Sequence, residues 1–255
     1  VMAKKLIGEL ELNRIYQRDC IEGMRMLPDK SIDMILCDLP YGTTACKWDT
    51  VIPFETLWAQ YERIIKDNGA IVLTASQPFT SALVMSNPKL FRYTWVWDKV
   101  NKYTGALNAN RMPLKRHEDI CVFYKNLPTY NKQYRQGKPY KGFATNGHGS
   151  HTQYGKSPEK RRKQSDGNHN PCSILEIKSD NKKEMGLHPT QKPIELFAYL
   201  IRTYTDEGEI VLDNCMGSGT TAIAALRLKR NFVGFERESE YIEIANKRLD
   251  NEVAE

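Results

Sequence analysis

Apolar positions along the chain alternate between two spacings. The run Ile32-Asp33-Met34-Ile35-Leu36-Cys37 is nearly continuous and predicts a buried strand. Over Phe54 to Lys66 the spacing becomes helical, with Leu57, Tyr61, Ile64 and Ile65 on one stripe and Asn68-Gly69 as the expected stop. Ala70 to Thr74 then reads as a strand, making 32 to 74 a parallel strand-helix-strand crossover. Upstream, the pattern predicts a short strand around Ile15-Tyr16 that ends near Asp19, and a helix near Ile21 to Met26. Downstream, Pro78 to Met85 reads as a helix, and Phe91 to Trp97 with Asp119 to Tyr124 as an antiparallel edge pair.

From about Asn126 to Asn181 no apolar period persists, and Gly, Pro, Asn and Ser alternate with Lys and Arg. Periodicity returns after His188-Pro189-Thr190-Gln191-Lys192-Pro193. A helix is expected there with Leu196, Phe197, Leu200, Ile201 and Tyr204 inward. Glu209 to Leu212 and Asn231 to Phe235 read as strands, Thr220 to Lys229 and Ser239 to Leu249 as helices, the last burying Ile242, Ala245 and Leu249. The expected fold class is therefore α/β, a doubly wound, mostly parallel sheet with an antiparallel edge. Residues 1–125 and 187–255 form the two halves of one domain, and 126–186 is an inserted region.

Charge changes the picture of that insertion. Lys99 to Leu187 holds 18 Lys+Arg against 7 Asp+Glu, leaving 19 against 24 for the rest of a chain whose net charge is +6. The basic third includes Lys160, Arg161, Arg162 and Lys163, and it is interleaved with Tyr103, Tyr130, Tyr134, Tyr140, Phe143 and Tyr154. A charge run is most often a solvated face, but basic residues mixed with aromatics suit phosphates and exposed bases. No apolar run approaches the roughly 18 residues that span a membrane, so a soluble, cytoplasmic protein is expected. Six cysteines without a C-x-x-C pair read as reduced thiols, neither metal ligands nor disulfides, and no metal is expected.

Two stretches carry candidate chemistry. Asp38-Leu39-Pro40-Tyr41-Gly42 puts a carboxylate, a stiff proline and an aromatic ring where a buried strand ends. It reads equally as a proline turn with an aspartate acceptor or as a holder for a flat heterocycle. Asp213-Asn214-Cys215-Met216-Gly217-Ser218-Gly219-Thr220-Thr221 lies between a strand and a helix, and Glu236 ends the next strand. A lone G-x-G is usually a tight turn. With a strand before it, a helix after it and an acid ending the next strand, it fits a nucleoside whose ribose hydroxyls Glu236 accepts, with Gly217 and Gly219 allowing close backbone approach.

Together these stretches resemble the amino-group DNA methyltransferases. Asp38 to Tyr41 resembles their D/N/S-P-P-Y motif, Asp213 to Thr221 their D-P-F-x-G-x-G-T-T loop, and His188 to Pro193 their H-P-T-Q-K-P segment. Phe235-Glu236, Glu240-Tyr241 and Ala245 to Leu249 resemble the stretch after the loop, and the order is that of the β group. The likeness spans 13–125 and 186–250. Leu39 departs from the first proline, and Asn214-Cys215 from Pro-Phe.

The resemblance implies S-adenosylmethionine as cofactor, duplex DNA as partner, and methyl transfer to adenine N6 of a flipped base, as in restriction-modification enzymes. Asp38 and the Leu39 carbonyl would accept from the amine, Pro40 fix the turn and Tyr41 stack on the base. Asp213, Cys215, Gly217, Ser218, Gly219, Thr220 and Thr190 would surround the cofactor, with Glu236 on its ribose. Asp19 would meet the adenine amino group or cap a helix. Lys192 reads as site residue or solvated lysine, His188 as a hinge, and Trp48 as pocket or core. Arg116-His117-Glu118 is expected to be structural or DNA-facing, with Arg116 on DNA beside the 160–163 cluster. Cytosine N4 is the alternative target. A non-catalytic DNA-binding protein or a nicotinamide-dependent dehydrogenase explains fewer residues, and self-association to a homodimer stays open.

Overall fold

The computed structural model describes residues 5–43, 49–139, 151–152, 155–156, 166–179 and 191–254. Lys160 to Lys163, His188, Thr190 and Trp48 lie outside the described residues. Two units are present, one formed by Val1–Asn131 with Ser173–Glu255, the other by Lys132–Cys172.

In chain order the larger unit begins with β1 (Leu6–Ile7), β2 (Leu10–Glu11), β3 (Arg14–Gln17), α1 (Cys20–Arg25) and β4 (Ile32–Asp38). It continues through α2 (Phe54–Ile64), β5 (Ile65–Ala75), α3 (Phe79–Ser86), β6 (Phe91–Asp98) and β7 (His117–Phe123). The smaller unit contains two short antiparallel pairs, β8 (Arg135–Gln136) with β11 (Asn168–His169) and β9 (His151–Thr152) with β10 (Gly155–Lys156). The chain returns with β12 (Ile174–Glu176), α4 (Ile194–Tyr204), β13 (Ile210–Asp213), α5 (Thr220–Arg227), β14 (Asn231–Glu236) and α6 (Ser239–Ala254).

The main sheet has eight strands in the order β12-β6-β7-β5-β4-β13-β14-β3. Only β7 runs against its neighbours, pairing antiparallel with both β5 and β6. The expected edge pair is thus inside the sheet, because β12 adds to β6 in parallel and becomes the edge. That strand comes from within the 126–186 insertion, so its last described part, Ser173 to Ser179, belongs to the larger unit. Asn68-Gly69 does not stop a helix. Strand β5 already starts at Ile65, and its register against β4 shifts between Ile32 and Met34, so the pair sits in a bulge. Glycine is needed there because a Cβ on Gly69 would lie 2.8 Å from the Asp33 carbonyl oxygen.

Side chains along β4 alternate between two cores, as a strand period of two requires. Ile35 and Cys37 face Met24, Leu57, Tyr61 and Leu83 from α1, α2 and α3. Met34 and Leu36 face Leu196, Leu200, Ala222 and Ala245 from α4, α5 and α6. Helices on both faces make this the doubly wound α/β fold that the periodicity predicts. Every parallel neighbour of β4 delivers its C-terminal end to the same edge, where Asp38 lies opposite Thr74.

Two packing details have measurable consequences. Gly23 in α1 lies against the buried Phe235 ring, and an added Cβ would be 2.4 Å from Cδ1. Alanine ordinarily gains about 1 kcal/mol over glycine inside a helix, but overpacking a core costs about 1–3 kcal/mol. Gly23→Ala is therefore expected to lower the melting temperature, and a rise would show that Phe235 yields.

The second concerns Asp213, the buried end of β13. It accepts hydrogen bonds from the Cys215 amide at 3.0 Å and from the Thr221 hydroxyl. Burial outweighs those bonds and pushes its carboxyl up to about 6 from an ordinary 3.8. Between those values the folded state holds the proton more tightly than the unfolded chain, so this group's contribution to stability falls as pH rises from about 4 to 6. At about 1.4 kcal/mol per unit, the effect is of order 3 kcal/mol. Urea titrations should show Asp213→Asn gaining on the parent protein across that window. A pH-independent difference would contradict this assignment.

Candidate active site

At the strand C-termini a cavity of about 500 Å³ opens between the two candidate stretches. Asp19, Asp38, Leu39, Pro40, Tyr41, Asp213, Cys215, Gly217, Ser218, Thr220 and Glu236 all line it, so the structure gathers nearly every described residue that the motifs pointed to.

Asp38 is fixed by three donors. Oδ1 accepts from the Tyr41 hydroxyl at 2.9 Å and from the Thr74 hydroxyl, and Oδ2 accepts from Lys192 Nζ at 2.6 Å. A carboxylate offers about four lone-pair sites, so roughly one remains, on Oδ2. The Tyr41 phenol is pushed well above its ordinary value by burial first, then by the charges of Asp38 and Glu118. It therefore stays a donor. Its ring stacks on Phe79 with centroids 5.1 Å apart and planes 28° apart.

Lys192 is not a solvated lysine. Its side chain is only 8% exposed and sits between Asp38 at 2.6 Å and Glu118 Oε2 at 3.4 Å. The second contact is ionic only, since Glu118 Oε2 is buried without a hydrogen-bond partner among the described residues. Glu118 Oε1 pairs in turn with Lys99 at 2.6 Å. The result is a buried row of alternating charge: Lys99, Glu118, Lys192, Asp38. Burial is the largest influence on Lys192 and pulls its ammonium down, but Asp38 and Glu118 together hold it above its ordinary value. For Glu118 burial pushes up, while Lys192 and Lys99 prevail and hold it below the usual range. Sequence reasoning missed Lys99 and Thr74 and gave Glu118 no place in the pocket. Thr74 alone left a signal, a polar residue closing an apolar strand beside β4.

On the other side of β4, the glycine loop is tied down by hydrogen bonds to Glu236, Gln191 and the Lys192 carbonyl. Gly217 has φ +52°, and a Cβ there would meet nothing closer than 3.9 Å, so its face toward the cavity is open. Gly219 serves packing instead of close ligand approach, because its Cβ would lie 3.0 Å from that of Ala245. Glu236 is held by three amides, Gly217 at 2.8 Å, Arg237 at 2.8 Å and Glu238 at 2.9 Å. The Ser218 hydroxyl donates to Gln191 Oε1 at 3.2 Å and that of Thr220 to the Lys192 carbonyl at 3.4 Å, tying the loop to the segment that carries the lysine.

Asp19 caps a helix, as one of its two readings expected, and it also faces the cavity. One oxygen caps α1, accepting from the Ile21 amide at 2.9 Å. Where Pro-Phe was expected, Asn214 accepts from the Tyr61 hydroxyl at 2.6 Å, and Cys215 lies near Cys37, a thiol that burial pushes up to about 12. Arg116 lies away from the cavity lining. Its guanidinium is forked onto Asp98 at 2.5 and 2.6 Å, which makes it a brace between β6 and β7.

Comparison with known proteins agrees with this geometry. A family model described as DNA methylase (N6_N4_Mtase) matches residues 32–247. The Type II methyltransferase M1.MboII of Moraxella bovis is 25% identical over 256 residues, covering 93% of this chain and 96% of that protein. The crystal structure of the M1.HpyAVI-SAM complex superposes with a TM-score of 0.63 at 26% identity, covering 93% of this chain and 98% of the other. The cytosine-N4-specific PvuII DNA methyltransferase shares the fold with a TM-score of 0.66 at 17% identity, covering 92% and 85%. With the family model spanning both the carboxylate turn and the glycine loop, the chain belongs to the N6/N4 DNA methylase family.

Proposed function

We propose that this protein is a site-specific DNA methyltransferase that uses S-adenosylmethionine to methylate adenine N6. The observation that carries the reading is the Asp38 carboxylate, clamped by Thr74, Tyr41 and Lys192 with about one acceptor site left, in the same cavity as the glycine loop. The M1.HpyAVI complex, a relative over nearly its whole length, contains this cofactor.

The residues present fit it. Glu236, immobilised by three amides, would accept from the ribose hydroxyls beside the open face of Gly217. Asp19 on the same wall would meet the adenine amino group, while Ser218, Thr220 and the Thr190 segment would surround the methionine carboxylate. Asp213 and Cys215 shape the turn, with Gly219 packing it on α6. Bound there, S-adenosylmethionine supplies an electrophilic methyl on a sulfonium.

The protein must make the exocyclic amine of a base nucleophilic, because conjugation to the ring withdraws its lone pair. Asp38 Oδ2 and the Leu39 carbonyl, by accepting from the two amine protons, would favour tetrahedral nitrogen, and Asp38 is the acceptor in reach for the proton lost after transfer. Pro40 holds the turn, and Tyr41, backed by Phe79, would stack on the extruded base, worth about 1–3 kcal/mol. Aspartate rather than serine at position 38 favours adenine over cytosine. The inserted basic region, 126–186, would read the DNA sequence, with Lys160 to Lys163 on phosphates.

Sequencing that reports modified bases, on DNA from cells expressing the protein, should find N6-methyladenine at one short sequence. N4-methylcytosine there instead would reassign the target. Asp38→Ala should reduce transfer by about 10² to 10³-fold or more, while cofactor affinity, measured by calorimetry, stays near that of the parent. Substantial turnover in this variant would remove Asp38 from the mechanism.

A further inference from the structure

Among the described residues, four of the eleven exposed large apolar side chains, Tyr103, Leu107, Met112 and Leu114, fall on one short segment, the connection between β6 and β7. Leu107 is wholly exposed. The clustering is not a product of looseness, because the connection is a braced hairpin. Arg116 forks onto Asp98 at its root, and Thr104 and Lys115 exchange backbone hydrogen bonds of 2.8 and 2.9 Å. Lys115 Nζ donates to the Ser76 hydroxyl just past β5. Beyond these clamps Gly105, at φ +88°, turns the chain into a single 3-10 turn, Ala106 to Asn108. The Met112 amide bonds back to the Asn108 carbonyl at 3.0 Å. Leu107 is therefore presented at an ordered tip.

Its placement is specific. The sheet order puts β5, β7 and β6 on one side of β4 and the glycine loop, after β13, on the other. Asp98 pairs with His117, so the hairpin leaves the sheet at the C-terminal end of β6, and Lys102 and Thr104 line the cavity. The hairpin is thus the rim of the cavity on the Asp38 side. From Lys99 to His117 there are five Lys or Arg and no Asp or Glu. Lys99 and Arg116 sit in ion pairs at the root and Lys115 bonds to Ser76, while Lys102, Arg111 and Lys115 place positive charge on either side of the tip. An apolar point among cations, beside a pocket for a base, matches the stacked interior and phosphate flanks of a duplex.

We propose that the Asn101–Lys115 hairpin is a DNA wedge: Leu107 enters the stack where the target base leaves it, and Lys102, Arg111 and Lys115 meet the adjoining phosphates. The proposal rests on reading the Asp38 pocket as the target-base site. Methyl transfer is measured on two oligonucleotides carrying the modified sequence, one an ordinary duplex, the other with an abasic site opposite the target base, which is then already loosened. Leu107→Ala, at a fully exposed position, should melt like the parent. It should transfer at least about tenfold more slowly on the ordinary duplex while remaining within about threefold of the parent on the loosened one. Leu107→Phe, which keeps an apolar wedge, should stay active on both.

Equal losses on the two DNAs, or no loss on either while the parent is active, overturn the wedge alone. A change in sedimentation of the DNA-free protein on Leu107→Ala also overturns it and assigns the tip to a second copy of the chain. A parent protein that transfers to neither DNA overturns the reading of the pocket, and the wedge with it.

Discussion

The ion pair between Lys192 and Asp38 is the constraint on which the site depends. Moving a single charge out of water costs several kcal/mol even after relaxation, and it is repaid only by good geometry and further partners. Lys192 is buried, so its ammonium requires Asp38 at 2.6 Å on one side and Glu118 on the other, and Glu118 requires Lys99. The row is electrically balanced as a whole and unbalanced by the loss of any member. Asp38 consequently cannot adopt another rotamer without exposing an uncompensated lysine. The same segment receives the Thr220 hydroxyl on its carbonyl, so one lysine sets both the carboxylate and the glycine loop.

Because β4 lies between β5 and β13, its terminal aspartate faces two different neighbourhoods. Toward β13 are amide-fixed Glu236 and the open floor at Gly217, suited to a polar ligand held rigidly. Toward β5 and β7 are Tyr41 with Phe79, the buried charge row and the basic hairpin, suited to a flat ring arriving with phosphates. The difference between the two neighbourhoods follows from strand order.

Much of this was legible in the sequence, for identifiable reasons. Strand β4, helix α2 and the C-terminal elements are strongly periodic, and Asp38, Gly217 and Glu236 sit where periodic elements end, so local pattern locates them. Lys192 carried no such mark. A lysine in a helix-opening segment is ordinarily solvated, and its burial comes from partners 154 and 74 positions away. Gly219 reads in the sequence as a point of close ligand approach, whereas what it admits in the structure is Ala245 of α6, a contact between distant segments that no local pattern reveals. The three residues of β12 were illegible because a strand that short has no period, and only its pairing with β6 defines it. Asn68-Gly69 misled because a bulge and a helix stop use the same residues.

The interior position of β4 also sets an order on biosynthesis. Its partner β5 is made soon after it, but β13 is not, and Lys192 follows Asp38 by 154 residues. At about 5–20 residues per second, a nascent chain waits roughly 8 to 30 seconds with one edge of its central strand unpaired and its key carboxylate without its cation. An apolar strand edge in that state is the kind of template on which chains aggregate. The basic stretch synthesised in the interval keeps the nascent chain strongly charged while it waits. Completion of the sheet at β13 and the pairing of Asp38 with Lys192 both wait on the C-terminal part of the chain, so a chain truncated before it leaves Asp38 without its cation.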